Sequence, residues 1–405
     1  MRAPIVDIRT VRTRFDRPVT ALLMAAGAAG VVLLLVSLLL SLGSDEARNR
    51  AASAYLTSFL FYLTLSLGAL FFVLLHHLVR ADWSVVVRRI AEAIAANLIL
   101  VPLLAIPVVL SMARLYDWAA PGAVERDHLL AAKAAYLNPG FFLVRMVVYL
   151  GAWAWMAFWY LRRSAEQDET GDLEVTGRME RWSAPAMVVL AITMFVASID
   201  LVMSLDPHWY STMIGVYLFA GSAVGFFAFL AVVTGLLIRF GYLRRAMTAE
   251  HFHDIGKLVF AFTVFWAYIA FSQYMLIWYA NIPEETEWYH RRQTAGWGAM
   301  SLLLLFGHFI VPFLALLPRF VKRNPRLLFA PALWVLAMHW IDIYWLVMPE
   351  AQGGQGTAAP RLVDITCLLG LGGIYVAAAG HWLRARAIVP VKDPRLEESL
   401  AFESV

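Results

Sequence analysis

Within long runs of Leu, Val, Ala and Phe, this sequence carries a few side chains able to take up and release a proton. His339 and Asp342 are three residues apart, which puts them on one face of a helix. Imidazole titrates near neutrality and a neighbouring carboxylate orients it, so the pair suits proton acceptance and relay. Asp200 sits in an apolar run with Ser204 one turn on, and His308 lies deep in another. Asp254 stands three residues before Lys257, an ion-pair spacing at the start of a further run. From Lys257 onward Ala261, Val264, Tyr268, Ser272, Met275 and Tyr279 recur at spacings of four and three, so they share one face. The proton-transfer candidates are therefore Asp200, Asp254, Lys257, Tyr268, Ser272, His308, His339 and Asp342.

The elements that must position these groups are membrane helices. The chain has 405 residues, 61% hydrophobic and only 15% charged, where a soluble domain carries about a quarter charged residues. Ten stretches are long enough to cross a bilayer: Val19–Leu42, Ala54–Leu78, Ile90–Met112, Gly140–Leu161, Ala184–Leu205, Thr212–Phe240, Ile255–Asn281, Thr294–Leu317, Leu327–Met348 and Leu362–Leu383. About 20 residues suffice at 1.5 Å rise. The runs are continuous rather than alternating, which selects helices over barrel strands. The expected fold is an all-α integral membrane protein with ten transmembrane helices. Helices two to five and six to nine have matching orientation and form two four-helix bundles, flanked by helices one and ten. The chain reads as one polytopic domain over residues 1–405, with an N-terminal segment 1–18 and a tail 387–405.

Basic residues orient it. The N-terminus, from Arg2 and Arg9 to Arg17, and every second loop hold 24 of the 33 Lys and Arg; the opposite side holds nine, counting Arg145. That asymmetry predicts both termini in the cytoplasm. The net charge of +4 sits in those loops, where insertion and anionic lipid account for it without nucleic acid. The first apolar run is too long for a signal-peptide core and reads as a retained anchor. The acidic segment with Glu166, Asp168, Glu169, Asp172 and Glu174 reads as a solvated linker, Gln352–Gly356 as an outer turn, and the tail after Arg386 as extended, available to lie on a partner.

Several chemistries fall away. With Cys367 alone, the chain can build neither an iron–sulfur cluster, nor an internal disulfide, nor a covalent haem site. Two-histidine haem ligation needs imidazoles at matching depth; those of His308 and His339 differ by roughly 7 Å at 1.5 Å per residue, which suits a polar network better. No metal site is expected. Bland roles compete elsewhere. Asp206, before Pro207, reads as a helix cap; Lys257 and Glu92 can snorkel; Tyr268 and Ser272 can hold helices together, and Gly221 with Gly225 gives a close-packing step. Asp200, His339 and Asp342 resist such dismissal, since a charge at the bilayer centre costs about 3 kcal/mol on insertion scales. These three are expected to form one buried cluster.

Two stretches carry a family resemblance. SIDLVMSLDPHWYSTMIGVYLFAG (Ser198–Gly221) and FAFTVFWAYIAFSQYMLIWYANIPEET (Phe260–Thr286) closely resemble segments of the ActF subunits of bacterial alternative complex III, within the NrfD/polysulfide-reductase membrane-subunit family. The resemblance implies an integral subunit of a respiratory quinol:electron-acceptor oxidoreductase in the bacterial cytoplasmic membrane. It implies a role in proton transfer, with quinone binding near His339 and Asp342 left open. It also implies partners: a sister NrfD-like subunit, a multihaem cytochrome c and an iron–sulfur protein, which carry the haem c and the clusters. Three alternatives remain beside it: the sister subunit that holds the quinol site, a secondary transporter, and a purely structural scaffold.

Overall fold

The computed structural model describes residues 11–294, 296–351, 358–384 and 386–403. The expected turn at Gln352–Gly356 and the basic residues Arg2 and Arg9 lie outside them. Among the described residues the chain is mostly helical, with no strand. Among the described residues nine helices are long and apolar enough to cross a membrane, and a bent pair makes ten if it counts as one span. We number the span-forming helices in order: α1 Arg17–Ser41, α2 Asp45–Leu78, α3 Val85–Ala95, α4 Pro139–Thr170, α5 Leu173–Leu201, α6 Ile214–Arg239, α7 Ala249–Ala280, α8 Trp297–Leu303, α9 Pro325–Ala351 and α10 Leu362–Arg384.

Local sequence sets the boundaries. The Ser44 hydroxyl accepts from Ala47 N at 3.1 Å, and Asp45 and Glu46 follow in the first turn of α2, which complements the orphan N–H groups and the helix dipole. Asn138 caps α4 through Phe141 N at 2.8 Å, with Pro139 as first residue. Gly171 ends α4 at φ +71°, and Asp172 caps α5 at once. The α4–α5 connection is therefore a tight helical hairpin, and the acidic stretch is not a linker. Two of its carboxylates are paired, Asp168 with Arg89 at 2.9 Å and Glu166 with Arg178 at 3.5 Å, while Glu169, Asp172 and Glu174 are exposed.

Two spans depart from a plain α-helix. Beyond α3 the chain passes through a 3-10 turn at Ala96–Ile99 into Val101–Leu104 and Ile106–Leu110, and the span bends by 47°. Pro102 and Pro107 each open one of the short pieces by removing a hydrogen bond. After α8 the helix widens into a π-turn over Leu304–Ile310 before resuming at Val311–Leu316.

α2 is the axle of the molecule. It packs on α3, α5, α6, α9 and α10, and is buried along most of its length. The closest approach is at Gly68, where a Cβ would lie 2.3 Å from Ser222 O of α6; only glycine allows that crossing. α6 also packs on α7 and α9, α4 pairs with α5, and α1 lies along α10. The N-terminal and C-terminal segments meet, Ile388 N donating to Thr13 O at 2.7 Å. We call that end of the bundle the terminal end and the other the far end. The segment after α10 is not extended outward. It folds back across the terminal end, with Ile388, Val389, Asp393 and Ser399 buried.

Candidate functional site

Five helical segments deliver one buried polar cluster. From α9 come His339 (0% exposed) and Asp342 (1%), on the shared face that their spacing requires. α2 supplies Thr64, whose hydroxyl contacts His339 Nε2 at 2.9 Å. α6 supplies Tyr217, whose O–H donates to Asp342 Oδ1 at 2.5 Å, and α7 supplies Trp266, whose indole N–H donates to Oδ2 at 3.0 Å. The π-turn supplies His308, its ring lying on that of Trp266 with centroids 3.9 Å apart and 6.4 Å from the His339 ring. The two imidazoles are thus neighbours across Trp266, and the Asp342 carboxylate is held by Tyr217 and Trp266 rather than by His339, whose Nε2 goes to Thr64.

Backbone geometry makes room for this. A Cβ at Gly225 would meet His339 Cδ2 at 2.5 Å, and one at Gly221 would meet His339 Cε1 at 3.1 Å. The Gly-xxx-Gly step on α6 seats an imidazole rather than another backbone. The π-turn leaves a carbonyl to be satisfied, and the Trp334 indole N–H donates to Gly307 O at 2.7 Å. Each partner of the Asp342 carboxylate is a neutral donor, and no ion pair to it exists among the described residues. Both ring nitrogens of His308 and Nδ1 of His339 are buried without hydrogen-bond partners. Polar atoms left this way are costly unless water or a ligand group reaches them.

A cleft of about 890 Å³ adjoins the cluster. Tyr217 and Trp266 form part of its inner wall, and Arg292 closes it toward the far end. Tyr268, Phe271 and Leu302 line it and are exposed, so it opens sideways between α7 and α8. Arg292 is fully buried, with its guanidinium 3.3 Å above the Trp288 ring and 2.8 Å from Glu350. Burial pulls its pKa down, and Glu350 opposes that.

Other candidates are placed elsewhere. Asp200 is not part of the Asp342 cluster. It sits at 0% exposure in a two-pronged pair with Arg145, Nε to Oδ2 and Nη2 to Oδ1 both at 2.9 Å, and accepts from the Tyr136 hydroxyl at 3.1 Å. Burial and then Asp200 push the Tyr136 phenol up to about 12. The expected single cluster is corrected to two, because the Asp200 carboxylate is held by Arg145 of α4 and by Tyr136 just before that helix. Ser204 bonds the Asp200 main-chain carbonyl, not its carboxylate. Asp254 and Lys257 form the expected ion pair, with Lys257 half-exposed at the terminal end of α7. The stripe running from Lys257 faces outward: Tyr268 is 61% exposed, and Ser272 bonds back to Tyr268 O at 2.7 Å. The buried face of α7 is instead Thr263, Trp266, Ile269, Gln273 and Ile277. Asp206 does not cap a helix; it closes a turn through His208 N at 3.0 Å and pairs with Arg291.

Sequence reasoning missed Tyr217, Trp266 and Thr64. Trp266 was marked by standing two residues before Tyr268 on the opposite helix face, the one that completes the apolar side. Among the described residues no group of three or more His, Cys, Asp or Glu is gathered as a metal centre needs. No family model matches the chain, and no curated protein matches it.

Proposed function

We propose that the chain is an integral membrane subunit of a respiratory quinol:electron-acceptor oxidoreductase and that Asp342, with His339 and His308, handles protons for it. The observation that carries this reading is the Asp342 carboxyl, fully buried and held by neutral donors alone. A carboxyl so placed has no counter-charge to hold it ionised, which suits a relay and sets it apart from a structural ion pair. Tyr217 belongs to the first stretch that resembles ActF and Trp266 to the second; the resemblance therefore falls on the residues that clamp the carboxyl. The lateral cleft supports quinone as the ligand. It is apolar, reached from within the membrane, and its wall is the Tyr217 and Trp266 pair that holds Asp342.

In this reading the bent pair is one span, giving ten, arranged as two four-helix bundles with α1 and α10 alongside. The terminal end faces the cytoplasm of a bacterium, as the Lys and Arg asymmetry requires. Electrons run outside this chain, through haem c and iron–sulfur clusters on partner subunits. Quinol oxidised in the cleft would give its protons to the Asp342 and His339 pair. The transporter alternative is weakened because the breaks are unmatched: one is in the second helix of the first group and one in the third of the second.

Gentle detergent purification tests the reading. The chain should copurify with a multihaem cytochrome and an iron–sulfur protein, seen as haem absorbance and as extra subunits by mass spectrometry. Recovery as a haem-free homo-oligomer sinks it.

A further inference from the structure

The terminal end contains a second buried ionisable cluster that the Asp342 reading does not use. Glu92, Arg88 and Arg89 of α3 are each at most 2% exposed, and His77 of α2 is 1% exposed. Arg89 is the hub: Nε lies 3.0 Å from Glu92, while Nη2 reaches Asp168 at 2.9 Å and Ser164 Oγ at 2.9 Å. The His77 ring lies against Tyr160, centroids 5.7 Å apart. Yet this cluster is not self-sufficient. Both ring nitrogens of His77, Arg89 Nη1, Arg88 Nε and Asp168 Oδ1 are buried with no hydrogen-bond partner. A concentration of such atoms within one small region is the mark of a site that water fills, since each alone would cost what a lost hydrogen bond costs.

What covers the cluster is the segment 386–403. Asp393 reaches in to Arg88 at 2.7 Å, with both side chains 1% exposed. Lys392 donates to Glu169 O at 2.5 Å, and Arg395 pairs with Glu180 at 2.5 Å. The short helix Leu396–Leu400 then lies on the start of α3, where the Ser399 hydroxyl donates to Trp83 O at 2.9 Å. Phe402 ends against His251 of α7, centroids 5.5 Å apart. The strap thus ties α3, the α4–α5 hairpin and α7 together by these polar anchors and by Ile388, Val389, Leu396 and Leu400, which are buried in the core. It is therefore a packed cover, which opens only when the polar anchors and the buried apolar contacts are given up together.

We propose that the space around Glu92, Arg89, Asp168 and His77 is a hydrated chamber that exchanges protons with the solution at the terminal end, and that the strap 386–403 is its lid. The Arg88–Asp393 pair is the latch. Losing Asp393 leaves Arg88 as a buried charge without its partner, which favours water entering and the strap leaving. The Asp342 cluster plays no part in this, so either proposal can fail alone.

The test uses the full-length protein in its native assembly, with a water-soluble carbodiimide and an amine nucleophile. Peptide mass spectrometry reads the modification of Glu92 and Asp168, and hydrogen–deuterium exchange reads strap opening at residues 396–400. In the unaltered protein, Glu92 modification should follow strap opening as temperature is raised. In Asp393→Ala the strap amides should exchange faster and Glu92 should be modified at least tenfold faster, while carboxylates far from the strap keep their rates. Glu92 modification that stays constant while the strap opens, in either protein, overturns the lid. Should Asp393→Ala fail to assemble, the temperature series on the unaltered protein decides by itself.

Discussion

Asp200 and Asp342 are the same residue type, both fully buried, both toward the far end of the bundle, yet they sit in opposite electrical surroundings. Asp200 faces a guanidinium in two-pronged contact and a phenol. Asp342 meets a phenol and an indole and no cation. The first arrangement sets a carboxylate against a committed cation, each partner offsetting part of the other's desolvation penalty. The second leaves the carboxyl free to change its protonation state. Burial of an acid in a membrane is therefore not enough to mark a relay; what distinguishes one is the absence of a committed counter-charge.

The sharpest way to break this comparison is Arg145→Met. It strands Asp200 and should destabilise the protein by about 3–5 kcal/mol, the cost of breaking a buried pair, seen as a lower unfolding temperature in detergent. The double variant Arg145→Met, Asp200→Leu should recover most of that loss. If the single variant is as stable as the parent, Asp200 is not held as a charge and the contrast collapses.

A smaller structural effect and a larger functional one are expected for Asp342→Asn. The amide keeps the size of the carboxyl, Trp266 can still donate to its oxygen and Tyr217 can accept from its nitrogen. Stability should therefore stay within about 1 kcal/mol. Proton translocation per electron should fall, measured in liposomes holding the purified assembly. An unchanged ratio with normal turnover makes Asp342 structural.

The least effect is expected from Tyr268→Phe combined with Ser272→Ala. Both side chains lie on the outward face of α7, so stability should move by no more than about 0.5 kcal/mol. Tyr268 borders the cleft through its ring, which Phe preserves. Turnover that falls tenfold would return the polar stripe to the list of functional groups.

The spans, their order and the His339–Asp342 face were legible because hydropathy and helical period are properties of one segment at a time. The partners were not. Tyr217 is 125 residues from Asp342, Trp266 is 76 away, and Arg145 is 55 from Asp200. Periodicity says which residues share a face but not which neighbour that face meets. Arg145 looked like one of the sparse far-side cations of the topology argument, and Trp266 like one more membrane aromatic. The outward stripe on α7 misled for a related reason: tyrosine, serine and methionine are tolerated at a lipid-facing surface, so their repetition does not reveal an interior. The tail was misjudged because Asp393 lies 305 residues from the arginine it latches.

The widened turn at Leu304–Ile310 acts as a phase shifter. A π-turn accommodates one residue more than an α-turn over the same rise, so everything after it is rotated by about 100° relative to an unbroken helix. Leu304 and His308 both end up turned inward, while Leu305 and Phe306 between them look out. Length alone thus aims the imidazole at Trp266. Chains one residue shorter within this turn could keep every polar side chain of the cluster and still point His308 into lipid.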